Sequence, residues 1–383
     1  GIMNQSSAQW IGRAEAARDF LATHATDVDR AARWPAESMA ALAEAGLLGL
    51  TLPASHGGAG QGPRTFATVV CRLAEGCAST AMIYLMHVCG TQVIAGGSRF
   101  ARRDSLLKEI ASGRHLTTLA FSEKGSRSHF WAPVSQARAD GGNHRVSANK
   151  SWVTSAGHAD SYIVSTRSAN GTEATASTLY FVPKGAPGVT VSGRWSGLGL
   201  RGNASAPMTF DNVRVTAADQ VSGDGDGFGV MVNTVLPWFQ LGSAGVAVGI
   251  ARAAVGGVRD HLTSAKLEHL GQPLASLPNL RAELARMQIA ADTQDAFLDY
   301  VAGRMEHPQP DTMLAVLESK AAATEAALDV TDLAMRACGG TAFSGRLSVE
   351  RNFRDARAGS VMAPTTDVLY DFVGKAVLGM PLF

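Results

Sequence analysis

The stretch "HRVSANKSWVTSAGHADSYIVSTRS" occupies His144 to Ser168. It decides the architecture, because it sits mid-chain between flanks that read as helix. Apolar residues alternate with polar ones, and Gly, Asn and Asp punctuate them, which is the pattern of half-buried β-strands. The same texture runs from about Leu116 to Val221, through "STLYFVPK", "VTVSGRW" and "MTFDNVRV". Short strands broken at close intervals predict an antiparallel barrel or sandwich of roughly 100 residues.

Outward toward the N-terminus, "SMAALAEAGLLGL" and "ATVVCRLAEGCASTAMIYLMHV" have long apolar faces and strong helix formers. "PASHGGAGQGP" (Pro53–Pro63) separates them. A helix precedes this loop and Pro63 follows it, so it reads as a turn rather than a phosphate loop. Outward toward the C-terminus the helical period returns near Gly227. Helices are predicted over 228–264, 279–305, 312–337 and 366–379. "CGG" (Cys338–Gly340) should stop the third. The predicted fold is α+β and multidomain. An all-α domain spans 1–116, an antiparallel β-barrel or sandwich 117–224, and a four-helix bundle 225–383.

Composition agrees with several domains and a large buried fraction: 383 residues, 46% apolar, 17% charged, net charge +1. No basic run is interleaved with aromatics, so nucleic acid is not an expected partner. Cys71, Cys77, Cys89 and Cys338 form no CxxC pair, and the histidines show no metal-ligand spacing. Reduced thiols in a cytoplasmic protein without a metal are expected. The start lacks a basic region followed by an apolar one. The most membrane-like stretch, Val235 to Val258, is interrupted by Gln240 and Arg252. It reads as a buried bundle helix rather than a span.

Three segments admit both a plain and a functional reading. "LAFSEKGSRSH" (Leu119–His129) is a surface loop, or a set of hydroxyls and N–H groups around a ligand. In "KSWVTSAGHADSY" (Lys150–Tyr162), Trp152 and Thr154 are two apart on a predicted strand and so face one side. They are core residues, or a ring and a hydroxyl against a flat cofactor. "ERNFRDAR" (Glu350–Arg357) is a solvated charged face in its plain reading. His87, on an apolar helix, reads as a packed core residue; His129 and His158 sit in polar loops.

In order, these segments are similar to the acyl-CoA dehydrogenase family of flavoproteins, with its monooxygenase-like relatives, over nearly the whole chain. "LAFSEKGSRSH" resembles the family's T-E-P-G-A-G-S-D loop, and "KSWVTSAGHAD" its K-x-W-I-T-N-A-x-x-A-D strand. "GLGLRGNASAPMTFDNVRV" (Gly197–Val215) resembles the strand pair that follows. "CGGTAFSGRLSVERNFRDARAG" (Cys338–Gly359) resembles the G-G-x-G-Y…E-R-x-x-R-D-A-R segment. The resemblance implies FAD, with FMN the lesser alternative, and a homotetramer built as a dimer of dimers. It implies that Phe121 and Ser122 meet the flavin ring, Trp152 flanks it, and Thr154 bonds near its reactive edge. It puts Ser128 by the phosphates and Thr365 on the cofactor. Gly339 and Gly340 would approach the FAD of a neighbouring subunit, where a Cβ would obstruct.

Three departures stand out. "KLEHLGQPLASLP" matches the family's R-x-x-F-G…Q segment only at Leu270 and Gly271, and Lys266 would supply the missing charge. Lys124 and His129 replace Pro and Asp in the flavin loop. The active-site Y-E-G-T reads Met362-Ala363-Pro364-Thr365, so the usual catalytic Glu is Ala363. The alternative base position on a bundle helix falls at Phe239, or Gln240. The remaining candidates for a catalytic role are Asp367, Glu123, His129 and His158. Three functions follow from the resemblance. One is α,β-dehydrogenation of an acyl thioester such as an acyl-CoA, with an electron-transfer flavoprotein as redox partner. Another is a monooxygenase using reduced flavin and O2, served by a flavin reductase. The third is a non-catalytic flavin-binding subunit.

Overall fold

The computed structural model describes residues 5–383 apart from 127 and 174. The N-terminal helices are α1 (Gln5–Ala31), α2 (Ala36–Glu44), α3 (Pro63–Gly76), α4 (Ala78–Gly96) and α5 (Arg103–Ala111). α3 opens on Pro63, whose missing N–H costs nothing at a first helical turn. α4 is apolar nearly all round and is accordingly buried on nearly every side.

The β domain holds β1 (Thr117–Ala120), β2 (Arg138–Asp140), β3 (Asn143–Val153), β4 (Ser161–Arg167), β5 (Ser177–Pro183), β6 (Val189–Val191) and β7 (Ala206–Val215). They form two sheets, ordered β1-β4-β5 and β2-β3-β7-β6. One pairing departs from the antiparallel expectation: β1 runs parallel to β4, with Thr117 opposite Ser161. After β1 the chain passes through the 121–137 loop and the β2–β3 hairpin of the other sheet before returning. A crossover of that length permits a parallel partner, which a hairpin cannot.

The C-terminal helices are α6 (Gly227–Val230), running through a π-turn into α7 (Leu236–Ser264), then α8 (Pro278–Glu306), α9 (Thr312–Phe343), α10 (Ser348–Ala356), α11 (Ala358–Val361) and α12 (Thr366–Val377). A short hairpin, β8 (Lys266–Leu267) and β9 (Gln272–Pro273), joins α7 to α8. α7 is the central helix, packed between α3 and α9. Its glycines allow the close approach: a Cβ on Gly249 would run into the Cys71 carbonyl and come within 2.6 Å of the Ala74 Cβ. α9 breaks where the paired glycines predict, at Gly339 (φ 54°, ψ −135°), but then resumes for another turn to Phe343. α4 and the Gly227–Ser264 stretch are long and apolar enough to cross a membrane, yet both are mostly buried inside the protein. The four cysteines are buried and unpaired. Among the described residues no cluster of His, Cys, Asp and Glu could hold a metal ion.

Candidate cofactor and active site

The loop after β1 is pinned from beneath by a buried ion pair. Lys150 on β3 is 1% exposed, and its Nζ donates to Glu123 Oε1 (2.6 Å), Phe121 O (3.1 Å) and Ser165 O (2.7 Å). Glu123 accepts further bonds from the Ser135 hydroxyl (2.6 Å) and the N–H groups of Val134 and Ser135 (3.1 and 2.9 Å). Burial alone would raise the Glu123 pKa; the Lys150 ammonium and the Ser135 bonds outweigh it and hold the carboxyl below its ordinary value. Glu123 is thus a fixed anion with its oxygens occupied, not a free base.

The far end of the same loop is tied to the C-terminal segment. The Thr365 N–H donates to Ser128 Oγ (2.7 Å), and that hydroxyl donates to Thr365 Oγ1 (3.3 Å). Thr365 is the N-cap position of α12, whose first N–H groups have no acceptor within the helix. The adjoining Thr366 Oγ1 is buried and has no hydrogen-bond partner. The Thr365 hydroxyl, the helix N-terminus and the orphaned Thr366 hydroxyl make a cradle of donors beside Ser128, and such a cradle suits a diphosphate. The exposed Asp367 carboxylate in the first turn is the one unfavourable charge beside it.

Trp152 and Thr154 differ in burial. β3 ends at Val153, and its pairing with β7 is irregular between Lys150 and Val153. The alternation breaks there, leaving Trp152 60% exposed, with its indole edge-on to Trp195 (5.8 Å), while Thr154 is buried. The next residue, Ser155, takes a left-handed φ of 60°. Its N–H donates to Asn203 O (2.9 Å), and its Oγ accepts the Trp34 indole N–H (3.0 Å). His158 stacks on Trp34 at 4.8 Å, so it belongs to this contact with the N-terminal domain. Burial, then Lys184, lowers the His158 pKa.

Position 363 itself carries no carboxylate. Met362 packs on the same core as Phe121, Phe130, Trp131 and Phe239. Phe130 lies 6.2 Å from Phe121 and 6.3 Å from Phe239, ring centre to ring centre. Gln240 is fully buried, its Nε2 donating to Val316 O and Leu317 O, its Oε1 without a partner. Beside this core lies a cavity of ≈ 500 Å³. Trp131, Phe228, Phe372 and Phe383 line it, with His129, Asp367 and Lys375 among its polar groups. The cavity therefore joins His129 to Asp367. His87 is a satisfied core residue: its ring accepts the Thr117 N–H and bonds Leu48 O, and burial pulls its pKa to about 4.

Of the sequence-derived cofactor contacts, Phe121, Ser122 and Ser128 lie on the loop after β1, Trp152 near the end of β3, Thr154 just after it, and Thr365 at the N-cap of α12. Ser122 is tied to β3 through the Ser151 N–H (2.9 Å). Gly339 and Gly340 are exposed at the α9 kink, and Lys266 is exposed on the β8–β9 hairpin. No hydrogen bond among the described residues ties those three to the loops of this chain.

One buried lysine has no evident signal in the sequence. Lys320 of α9 is fully buried, and its Nζ donates to Gly359 O (2.6 Å), Met362 O (3.0 Å) and Pro364 O (3.0 Å). In an Ala-rich helix it reads as an ordinary surface lysine. The only available signal was its place on the apolar stripe of that helix.

Three family models match the chain in sequence order: the acyl-CoA dehydrogenase N-terminal domain over residues 13–114, the middle domain over 118–213 and the C-terminal domain over 225–378. The short-chain specific acyl-CoA dehydrogenase of Bos taurus mitochondria is 28% identical over 358 residues, covering 92% of this chain and 85% of that protein. Cyclohex-1-ene-1-carbonyl-CoA dehydrogenase of Geobacter metallireducens is 27% identical, covering 94% of each. The butyryl-CoA dehydrogenase structure from Megasphaera elsdenii superposes with a TM-score of 0.92 at 22% identity, covering 99% of both chains.

Proposed function

The chain belongs to the acyl-CoA dehydrogenase family, and from that premise we propose a flavin-dependent oxidoreductase that binds FAD and works without a carboxylate at position 363. FAD, when bound, supplies hydride transfer and, once reduced, reaction with oxygen. Ser128, Thr365 and the start of α12 hold the diphosphate. Trp152 flanks the ring, and Thr154 orients its reactive edge. Phe121, Phe130 and Phe239 keep water from the reacting face. FMN would fill the same ring site with less of the phosphate cradle. The observation that carries this reading is Ala363 in place of a carboxylate, with Glu123 of the 121–137 loop committed to Lys150.

Removing an α proton from a thioester needs a placed base, and such a base contributes about 10²–10⁴-fold. The chemistry favoured is therefore one that needs none: hydroxylation of a small substrate with reduced flavin and O2. His129, in the wall of the cavity, is the group to pass a proton there, and a flavin reductase would supply electrons. A second reading, dehydrogenation of an acyl-CoA with transfer to an electron-transfer flavoprotein, is favoured by the relatives' names and by Asp367 in that same cavity. The exposed Gly339, Gly340 and Lys266 suit contacts with a neighbouring subunit's FAD in a homotetramer. A cytoplasmic location accompanies either reading.

The test is anaerobic mixing of the yellow protein with a panel of acyl-CoA thioesters while following the flavin band. Persistence of the band with every thioester supports the oxygen-using reading. Bleaching by one of them overturns it in favour of dehydrogenation.

A further inference from the structure

Lys320 is a buried lysine with no carboxylate within ion-pair distance among the described residues. Burying an ammonium without a counter-ion is expensive unless hydrogen bonds satisfy it. Its three acceptors are backbone carbonyls drawn from one six-residue segment, Gly359 to Pro364. Gly359 lets that segment lie flat on α9, since a Cβ there would come within 2.8 Å of Thr324 Oγ1, one turn beyond Lys320. The segment ends at Thr365, which is bonded to Ser128 of the opposite loop.

We propose that Lys320 is the positioning residue of the diphosphate cradle: its ammonium gathers three carbonyls and so fixes where Thr365 and the first turn of α12 stand against Ser128. The inference rests on the flavin reading. Carbonyl dipoles that would otherwise face the cradle are turned toward the lysine, leaving N–H and O–H groups to face the anion. Burial lowers the Lys320 pKa to about 7, and in its protonated form the lysine also favours a diphosphate above the segment.

The test separates phosphate recognition from ring binding. Flavin-free protein prepared from the holoenzyme is titrated with FAD and with riboflavin, for wild type, Lys320→Met, Lys320→Arg and Ser128→Ala. Lys320→Met should weaken FAD by about 10- to 100-fold, the scale of a lost charged hydrogen bond, and leave riboflavin within about twofold. Lys320→Arg should recover part of the FAD affinity. Ser128→Ala, which leaves the buried lysine untouched, should weaken FAD and spare riboflavin. Equal loss of both flavins in Lys320→Met, with Ser128→Ala unchanged, would reduce Lys320 to a general packing role and overturn the proposal. Unchanged FAD affinity in Lys320→Met would overturn it directly. A wild type that binds neither flavin would refute the flavin reading itself, a different result from either.

Discussion

Replacing Lys150 by Met should open the loop that carries Phe121 to Ser128 while leaving the rest of the β domain closed. The lysine makes its bonds at 2.6–3.1 Å to Glu123, Phe121 and Ser165, and both charged side chains are almost wholly out of water. Removing one partner of a buried pair typically costs about 3–5 kcal/mol. The lower end applies, because Glu123 keeps the Ser135 hydroxyl and two N–H donors. About 3 kcal/mol is roughly a hundredfold in an opening equilibrium. Hydrogen exchange at the Val134 and Ser135 amides reads that opening, since both donate to Glu123. Their protection should fall about a hundredfold in Lys150→Met. It should recover in part in the Glu123→Gln, Lys150→Met double variant, which keeps a neutral acceptor oxygen and buries no lone charge. Unchanged protection in the single variant would refute the claim that this pair pins the loop.

Acid should act on the same loop. The Glu123 pKa is lowered, so its contribution is present above the unfolded value of about 4.5 and is lost as pH falls through the lower folded value; Val134 and Ser135 protection should drop there and not near neutrality. Asp355 titrates in the opposite sense. Burial pushes its pKa up to about 6, so Asp355→Asn should raise thermal stability more at pH 8 than at pH 5, with melting curves at both pH values as the check. Gly249→Ala should destabilise by about 1–3 kcal/mol, because the new methyl meets backbone and Cβ atoms of α3 that cannot swing away; urea unfolding measures it.

Much of the architecture was legible because periodicity reports burial directly. The switch from period two to period 3.6 near Gly227 is visible in the residues themselves, as is the break at Gly339. The direction of β1 was not, because four buried residues pair equally well either way; the long excursion between β1 and β4 decides it. At the site, motif spacing located the two loops that Ser128 and Thr365 tie together. It could not reveal Lys320, whose acceptors are backbone carbonyls about forty positions away and leave no side-chain signature. Nor could it foresee that Trp152 and Thr154 differ in burial, because the irregular end of β3 depends on its pairing with β7.

The buried central helix also bears on how the chain is made. Gly227–Ser264 is apolar enough to enter a lipid bilayer, and in the finished molecule most of it is shielded by its neighbours. During synthesis it leaves the ribosome before α8 and α9 exist. α3 and α4, which cover one side of it, have already emerged. The order of the elements thus gives a segment prone to aggregation a waiting surface on the nascent chain, a vectorial benefit that a permuted gene starting at α7 would forfeit.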